Sequence, residues 1–140
     1  MNENYKITIG IPVFNNEAII RKRIEDIIKQ SYQNFMIIIS DNHSSDKTRE
    51  ICEEMARDDN RIKFFHHENN MGPYWNFNFV LDKAETEYFV WGAGDDIWSK
   101  KFLEKNIDFL EKNKDYVGSI SESSLYTRDK NQNIKLIKNS

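Results

Sequence analysis

Phe35-Met36-Ile37-Ile38-Ile39-Ser40-Asp41-Asn42 is the stretch on which the fold turns. Apolar residues on every position from Phe35 to Ile39 leave no polar face, so the segment reads as a strand buried on both sides, as in a parallel sheet. It stops abruptly at Ser40-Asp41-Asn42. On its N-terminal side, Ile7, Ile9, Ile11 and Val13 mark an earlier strand, Lys6 to Phe14, broken by the run Pro12 to Asn15. Between the two strands, Ile20, Ile24, Ile27 and Ile28 fall at i, i+4, i+7 and i+8 and predict a helix from Glu17 to about Gln30, with Asn15 or Asn16 as its cap. On the C-terminal side, Ser44 and Ser45 offer caps for a helix from Asp46 to about Arg57, with Ile51, Cys52 and Met55 turned inward.

The alternation continues. Ile62 to Phe65 reads as a third strand, Pro73 suits the first turn of a helix reaching about Ala84, and Tyr88 to Trp91 reads as a fourth strand ended by Gly92-Ala93-Gly94. Ser99 can cap a helix striped with Leu103, Ile107 and Leu110. Tyr116 to Ser121 reads as a weaker fifth strand, and Leu125 to Arg128 with Ile134 to Lys138 as a closing hairpin. Repeated β-α units of this spacing predict an α/β domain with helices layered on a mostly parallel sheet, whose ligands bind beyond the carboxyl ends of the strands.

The chain has 140 residues, the size of one domain, which excludes a second full one. Lys+Arg 20 against Asp+Glu 23 gives a net charge of −3, which argues against binding a nucleic-acid backbone by bulk electrostatics. The longest apolar run, Phe35 to Ile39, falls far short of the roughly 20 residues that a membrane-spanning helix needs. Nothing at the N-terminus resembles a secretory signal. Cys52 is the sole cysteine, which excludes an internal disulfide and suits a reducing cytosol.

Three segments should open on one edge of the sheet: Pro12 to Glu17, Ser40 to Asp46 and Gly94 to Asp96. Asp41 ends a buried strand, where a carboxylate can accept a hydrogen bond from a base N–H or a ribose hydroxyl. An ordinary turn aspartate is the other reading of the same residue. Asp46 suits a helix N-terminus. Asp95 and Asp96 form a carboxylate pair after two glycines, a donor set suited to Mg²⁺ or Mn²⁺ when a diphosphate completes the coordination, although Asp-Asp also caps helices. Trp91 and Trp98 flank this pair and can stack on a sugar ring or pack in the core. His43, His66 and His67 lack partners at zinc spacing. Gly10 stands alone near the first strand, so neither a dinucleotide fingerprint nor a P-loop is present.

Ile9 to Glu17, Ile38 to Thr48, Asn70-Met71-Gly72 and Gly94 to Trp98 resemble, in order and spacing, the family 2 glycosyltransferases of the GT-A fold, over residues 5 to 115. The resemblance implies a Rossmann-like three-layer sandwich and a nucleotide-diphospho-sugar donor. It implies nucleotide contacts from Pro12, Phe14, Asn15, Glu17, Asp41, Asn70 and Gly72, and a divalent cation, Mg²⁺ or Mn²⁺, held by Asp95 and Asp96. Two positions depart from the family pattern. Ala93 stands where a further aspartate is usual and cannot ligate a metal, and Phe77-Asn78 stands where Arg-Asn is frequent. Inverting members use a carboxylate base from a later segment, so the catalytic base is expected beyond Ser140, with Glu122 read as structural or solvent-facing.

The expectation is therefore a single GT-A-type domain over residues 1–140, ending before the acceptor segment. The expected partners are the nucleotide-sugar donor and a glycan or lipid-linked acceptor, with neither nucleic acid nor a transmembrane segment. A cytoplasmic location follows, with the inner membrane face reached through the rest of a longer protein. Two competing readings are a non-catalytic nucleotide-sugar-binding domain and a sugar nucleotidyltransferase. The latter needs a Gly-rich basic loop after the first strand, and Pro12 to Glu17 has neither feature.

Overall fold

The structure is a computed structural model and describes residues 4–93, 96–119, 124–128 and 134–139. It falls into two compact units, Met1–Lys100 and Lys101–Ser140. In the first, β1 (Ile7–Val13), α1 (Ile20–Ile28), β2 (Phe35–Asp41), α2 (Thr48–Asp58), β3 (Ile62–His66), α3 (Pro73–Asp82) and β4 (Tyr88–Trp91) alternate along the chain. The strands form one parallel sheet in the order β3-β2-β1-β4. The fold class read from the sequence is the observed one. Every residue of β1 is buried, as is all of β2 except Met36, because the sheet is covered on both faces.

Ile9↔Ile37 and Ile11↔Ile39 pair across the two central strands and anchor the core. Helix α1 adds Ile20, Ile24 and Ile27, and Val80 of α3 lies over Gly10. A Cβ at Gly10 would stand 2.7 Å from both Phe89 Cζ and Val80 Cγ2, so the strand passes α3 at a distance that only glycine permits.

Several boundaries differ from expectation. Helix α1 begins at Ile20, after a turn in which the Asn16 carbonyl accepts the N–H groups of Ile19 and Ile20. Neither asparagine side chain caps it. Helix α2 begins at Thr48 and is not capped by Ser44 or Ser45. In the second unit, α4 (Phe102–Lys112) starts beyond Ser99, with Leu103 and Ile107 buried. Tyr116 to Ser119 is not a strand. There the Tyr116 ring meets Phe109 edge-on at 5.2 Å and Ser119 Oγ bonds Asn106 Oδ1 at 2.7 Å, so side-chain ties fold the segment back on α4 in place of a ladder. The expected hairpin is present as antiparallel β5 (Ser124–Arg128) and β6 (Ile134–Asn139), with a register shift between Leu125 and Tyr126. Glu122 lies outside the described residues.

Candidate functional site

The sheet order places β1 between β2, which leads outward one way, and β4, which leads the other. The crevice beyond β1 is therefore the topological switch point where open α/β sheets bind ligands. A cavity of about 340 Å³ opens there, lined by Pro12, Val13, Phe14, Asn16, Asn42, Asn70, Pro73, Asn76 and Phe77. Its lining is uncharged: four side chains supply rings or prolyl faces, and four asparagines supply amides. Of the residues expected to touch a nucleotide, Pro12, Phe14 and Asn70 line this cavity; Asn15, Glu17, Asp41 and Gly72 do not. Val13, Asn16, Asn42, Pro73, Asn76 and Phe77 line it without having been singled out for that role.

Asn15 and Glu17 instead latch the first loop onto the second. Asn15, at φ +50°, accepts Ser45 N–H through Oδ1 at 2.9 Å, and its own N–H donates to Ser44 Oγ at 2.9 Å. Glu17 Oε2 accepts Lys47 N–H at 2.8 Å, while Glu17 N–H donates to Asp46 Oδ2 at 3.1 Å. Asp46 Oδ1 accepts Thr48 N–H at 2.9 Å. The open N–H groups at the start of α2 are thus met partly from the first loop, Lys47 by Glu17, and partly from its own, Thr48 by Asp46, with carboxylates at the positive end of the helix dipole. Burial works to raise the Asp46 carboxyl, but the hydrogen bonds from Thr48 and the Glu17 amide outweigh it and hold the group below its ordinary value. Asp46 is a helix-start residue, as expected.

Asp41 is completely buried, its side chain 0% exposed. Oδ1 accepts the Ser44 N–H at 3.2 Å and the Ser44 hydroxyl, and Oδ2 meets His66 Nδ1 at 2.8 Å. Asn42 carries the edge onward, donating through Nδ2 to the Gly72 carbonyl and accepting Met71 N–H, which fixes the Asn70-Met71-Gly72 segment. Gly72 has φ +86°, a conformation L side chains rarely adopt, and ends the turn into α3. Beneath the cavity, Ser40 Oγ donates to Asn76 Oδ1 at 2.6 Å, and Asn76 Nδ2 donates to the carbonyls of Ser40 and Val13. His67 Nε2 lies 2.7 Å from Ser40 Oγ, and since that hydroxyl proton goes to Asn76, the imidazole donates. Desolvation first, and His66 second, push His67 below the ordinary histidine range, against the pull of Asp41.

Beyond β4, Gly92 N–H bonds the Gly10 carbonyl at 2.8 Å and Asp96 N–H the Ala93 carbonyl at 3.2 Å, and Asp96 is exposed. Asp95 lies outside the described residues. Trp98 covers the buried Arg23 guanidinium, whose Cζ is 4.3 Å from the ring centroid, so that face of the indole packs internally. Trp91 is 41% exposed, with Nε1 on the Phe77 carbonyl at 3.1 Å. Among the described residues no cluster of three or more His, Cys, Asp or Glu forms a ready metal cage. A hard divalent ion bound through one or two loop carboxylates and a substrate diphosphate needs no such cage, and the exposed Asp96 carboxylate fits that donor set.

The family model described as glycosyl transferase family 2 matches residues 8–139. The chain belongs to this family. It is 36% identical over 92 residues to the GalNAc(5)-diNAcBac-PP-undecaprenol beta-1,3-glucosyltransferase of Campylobacter jejuni, covering 65% of this chain and 30% of that enzyme. The chain thus spans less than a third of that relative's length. Among solved structures, it is similar to S. aureus TarS 1-349 in complex with UDP-GlcNAc, with a TM-score of 0.71, 27% identity, and coverage of 78% of this chain and 32% of that one. The mannosyltransferase PcManGT from Pyrobaculum calidifontis, in complex with GDP-Man and Mn2+, shares the fold at a TM-score of 0.69 and 20% identity, over 77% of this family 2 chain and 33% of the mannosyltransferase. No helix among the described residues is long and apolar enough to cross a membrane.

Proposed function

We propose that this chain is the donor-binding part of a family 2 glycosyltransferase that transfers a sugar from a nucleotide-diphospho-sugar to an acceptor hydroxyl in glycan or cell-surface polysaccharide synthesis. The observation that carries the reading is the uncharged, ring-lined cavity at the switch point of a parallel sheet, with an exposed carboxylate leaving the neighbouring strand. A planar, uncharged nucleobase suits a cavity bordered by Phe14, Phe77, Pro12 and Pro73. The charged diphosphate then belongs outside it, toward Asp96 and its sequence neighbour Asp95, the carboxylates that would hold a divalent ion.

When bound, that ion neutralises charge on the departing diphosphate. The acceptor oxygen attacks the anomeric carbon, the bond from that carbon to the phosphate oxygen breaks, and nucleoside diphosphate leaves with the electron pair. The acceptor proton passes to a general base, expected from the family pattern beyond Ser140, and the configuration inverts. The residues of this chain bind and orient: the cavity holds the nucleoside, and the latched loops hold the cavity. Similarity to proteins solved with UDP-GlcNAc and with GDP-Man and Mn2+ supports this assignment.

Calorimetric titration with UDP-glucose, UDP-GlcNAc and GDP-mannose, each with and without Mn²⁺, tests it. At least one should bind, more tightly with the metal. Asp96→Ala should remove the Mn²⁺ dependence and leave the melting temperature unchanged, because its side chain is exposed. Failure of all three sugar nucleotides to bind under either condition overturns the reading.

A further inference from the structure

Four asparagines line the cavity, and their amides are not equivalent. Asn42 and Asn76 are engaged at both ends: each accepts through Oδ1, from Met71 N–H and from the Ser40 hydroxyl, and each donates through Nδ2 to main-chain carbonyls. Asn16 and Asn70 are tied at one end alone. Asn16 Oδ1 accepts Phe14 N–H at 2.9 Å, and Asn70 Oδ1 accepts Gly72 N–H at 2.9 Å. A main-chain N–H is accepted by an amide oxygen and never by its NH2 group, so these two bonds fix which end of each amide is which. Among the described residues the Nδ2 groups of Asn16 and Asn70 have no partner. Every amide oxygen of the lining already carries a donor, whereas these two NH2 groups carry no acceptor.

We infer that Asn16 and Asn70 select the donor's base, giving their Nδ2 protons to the two carbonyl oxygens of a 2,4-dioxopyrimidine, the base of uridine and thymidine diphosphates. The inference rests on the donor-binding reading above and names the base that this cavity takes. Its physical reason is the balance of donors and acceptors. A 2,4-dioxopyrimidine presents two carbonyl oxygens and a single ring N–H. Cytosine replaces one of those oxygens with an amino group, and guanine sets an amino group and a ring N–H beside its one carbonyl. An amino group of the base would face the NH2 groups of the lining and leave donors on both sides desolvated and unmet. Phe14 and Phe77, which border the same space, offer ring faces to any base and so add affinity without discrimination.

The test is calorimetric titration of the intact chain with UDP, dTDP, CDP and GDP in the presence of Mn²⁺, a set in which UDP and CDP differ in the base alone. UDP or dTDP should bind about tenfold more tightly than CDP and GDP, or better, the worth of one well-placed hydrogen bond. Asn16→Asp and Asn70→Asp are the matching variants. Aspartate keeps the oxygen that accepts Phe14 or Gly72 N–H and exchanges the NH2 group for an acceptor, so the melting temperature should stay that of the parent. The added charge acts on every diphosphate alike, so the readout is the ratio of affinities for UDP and CDP, which at least one variant should reduce about tenfold. A parent that binds CDP or GDP as tightly as UDP and dTDP overturns the inference alone, and this comparison decides even if a variant melts early. A ratio unchanged in both folded variants overturns it equally. A parent that binds none of the four overturns the donor-binding reading and the inference together.

Discussion

Asp41 accepts three hydrogen bonds from a position without solvent, so its removal exposes the cost of leaving donors unmet. Asp41→Ala strands the Ser44 amide, the Ser44 hydroxyl and the His66 imidazole, and should destabilise the fold by about 1–3 kcal/mol in urea denaturation. A second residue-scale expectation concerns Cys52. Burial, reinforced by Asp41, Asp46 and Glu53, pushes its thiol up to about 12. The reactive thiolate is therefore suppressed, and the native chain should resist iodoacetamide at mildly alkaline pH while the urea-unfolded chain reacts. Rapid native alkylation would contradict the packing of α2.

At the scale of elements, α2 depends for its start on a loop that precedes β2 in the chain. Glu17→Ala removes the acceptor for Lys47 N–H and should cost about 0.5–2 kcal/mol, the usual worth of a helix cap. Hydrogen exchange should locate the damage at Lys47, whereas a loss of protection confined to α1 would show that the latch runs the other way. Gly10 makes a second expectation of this kind. In Gly10→Ala the new methyl group meets Phe89 and Val80 at 2.7 Å, so α3 and β4 must separate at a cost of about 1–3 kcal/mol. The sequence marked both elements through Pro73 and the aromatic run Tyr88 to Trp91. It could not mark their approach, which is set by the third dimension.

For the whole molecule, the shifted groups agree on where stability lies. Asp46 and Asp59 titrate lower in the fold than in the open chain, Asp59 because of Arg61, and each adds stability that is present above the ordinary carboxylate value and lost as pH falls through the folded one. His67 is also lowered, so the fold favours its neutral form, and this contribution fades as pH drops below about 6.5. The raised Cys52 acts oppositely: the unfolded thiol ionises from about pH 8.5 while the folded one keeps its proton, so stability declines on the alkaline side. Urea midpoints should therefore be highest between about pH 6.5 and 8.5 and fall on both flanks. A maximum near pH 5 would show that His67 does not sit in the desolvated network around Ser40 and Asn76.

The sequence by itself determined the alternation of strands and helices from β1 to α4, the parallel sheet and the sheet edge at which the cavity opens. Those follow from the spacing of apolar residues along one chain, as in Ile37 to Ile39 and in Ile20, Ile24 and Ile27, and from breakers such as Pro12 and Pro73. It also placed Pro12, Phe14 and Asn70 in the cleft. Only the tertiary structure decided that Asn15 and Glu17 serve α2, that Asn42 and Asn76 line the cavity, and that Asp41 is buried behind His66. The physical reason is that hydrogen-bond partners are chosen across space: Asp41 and His66 lie on neighbouring strands 25 residues apart in the chain, and no local pattern records that one carboxylate will meet that imidazole before it meets a ligand.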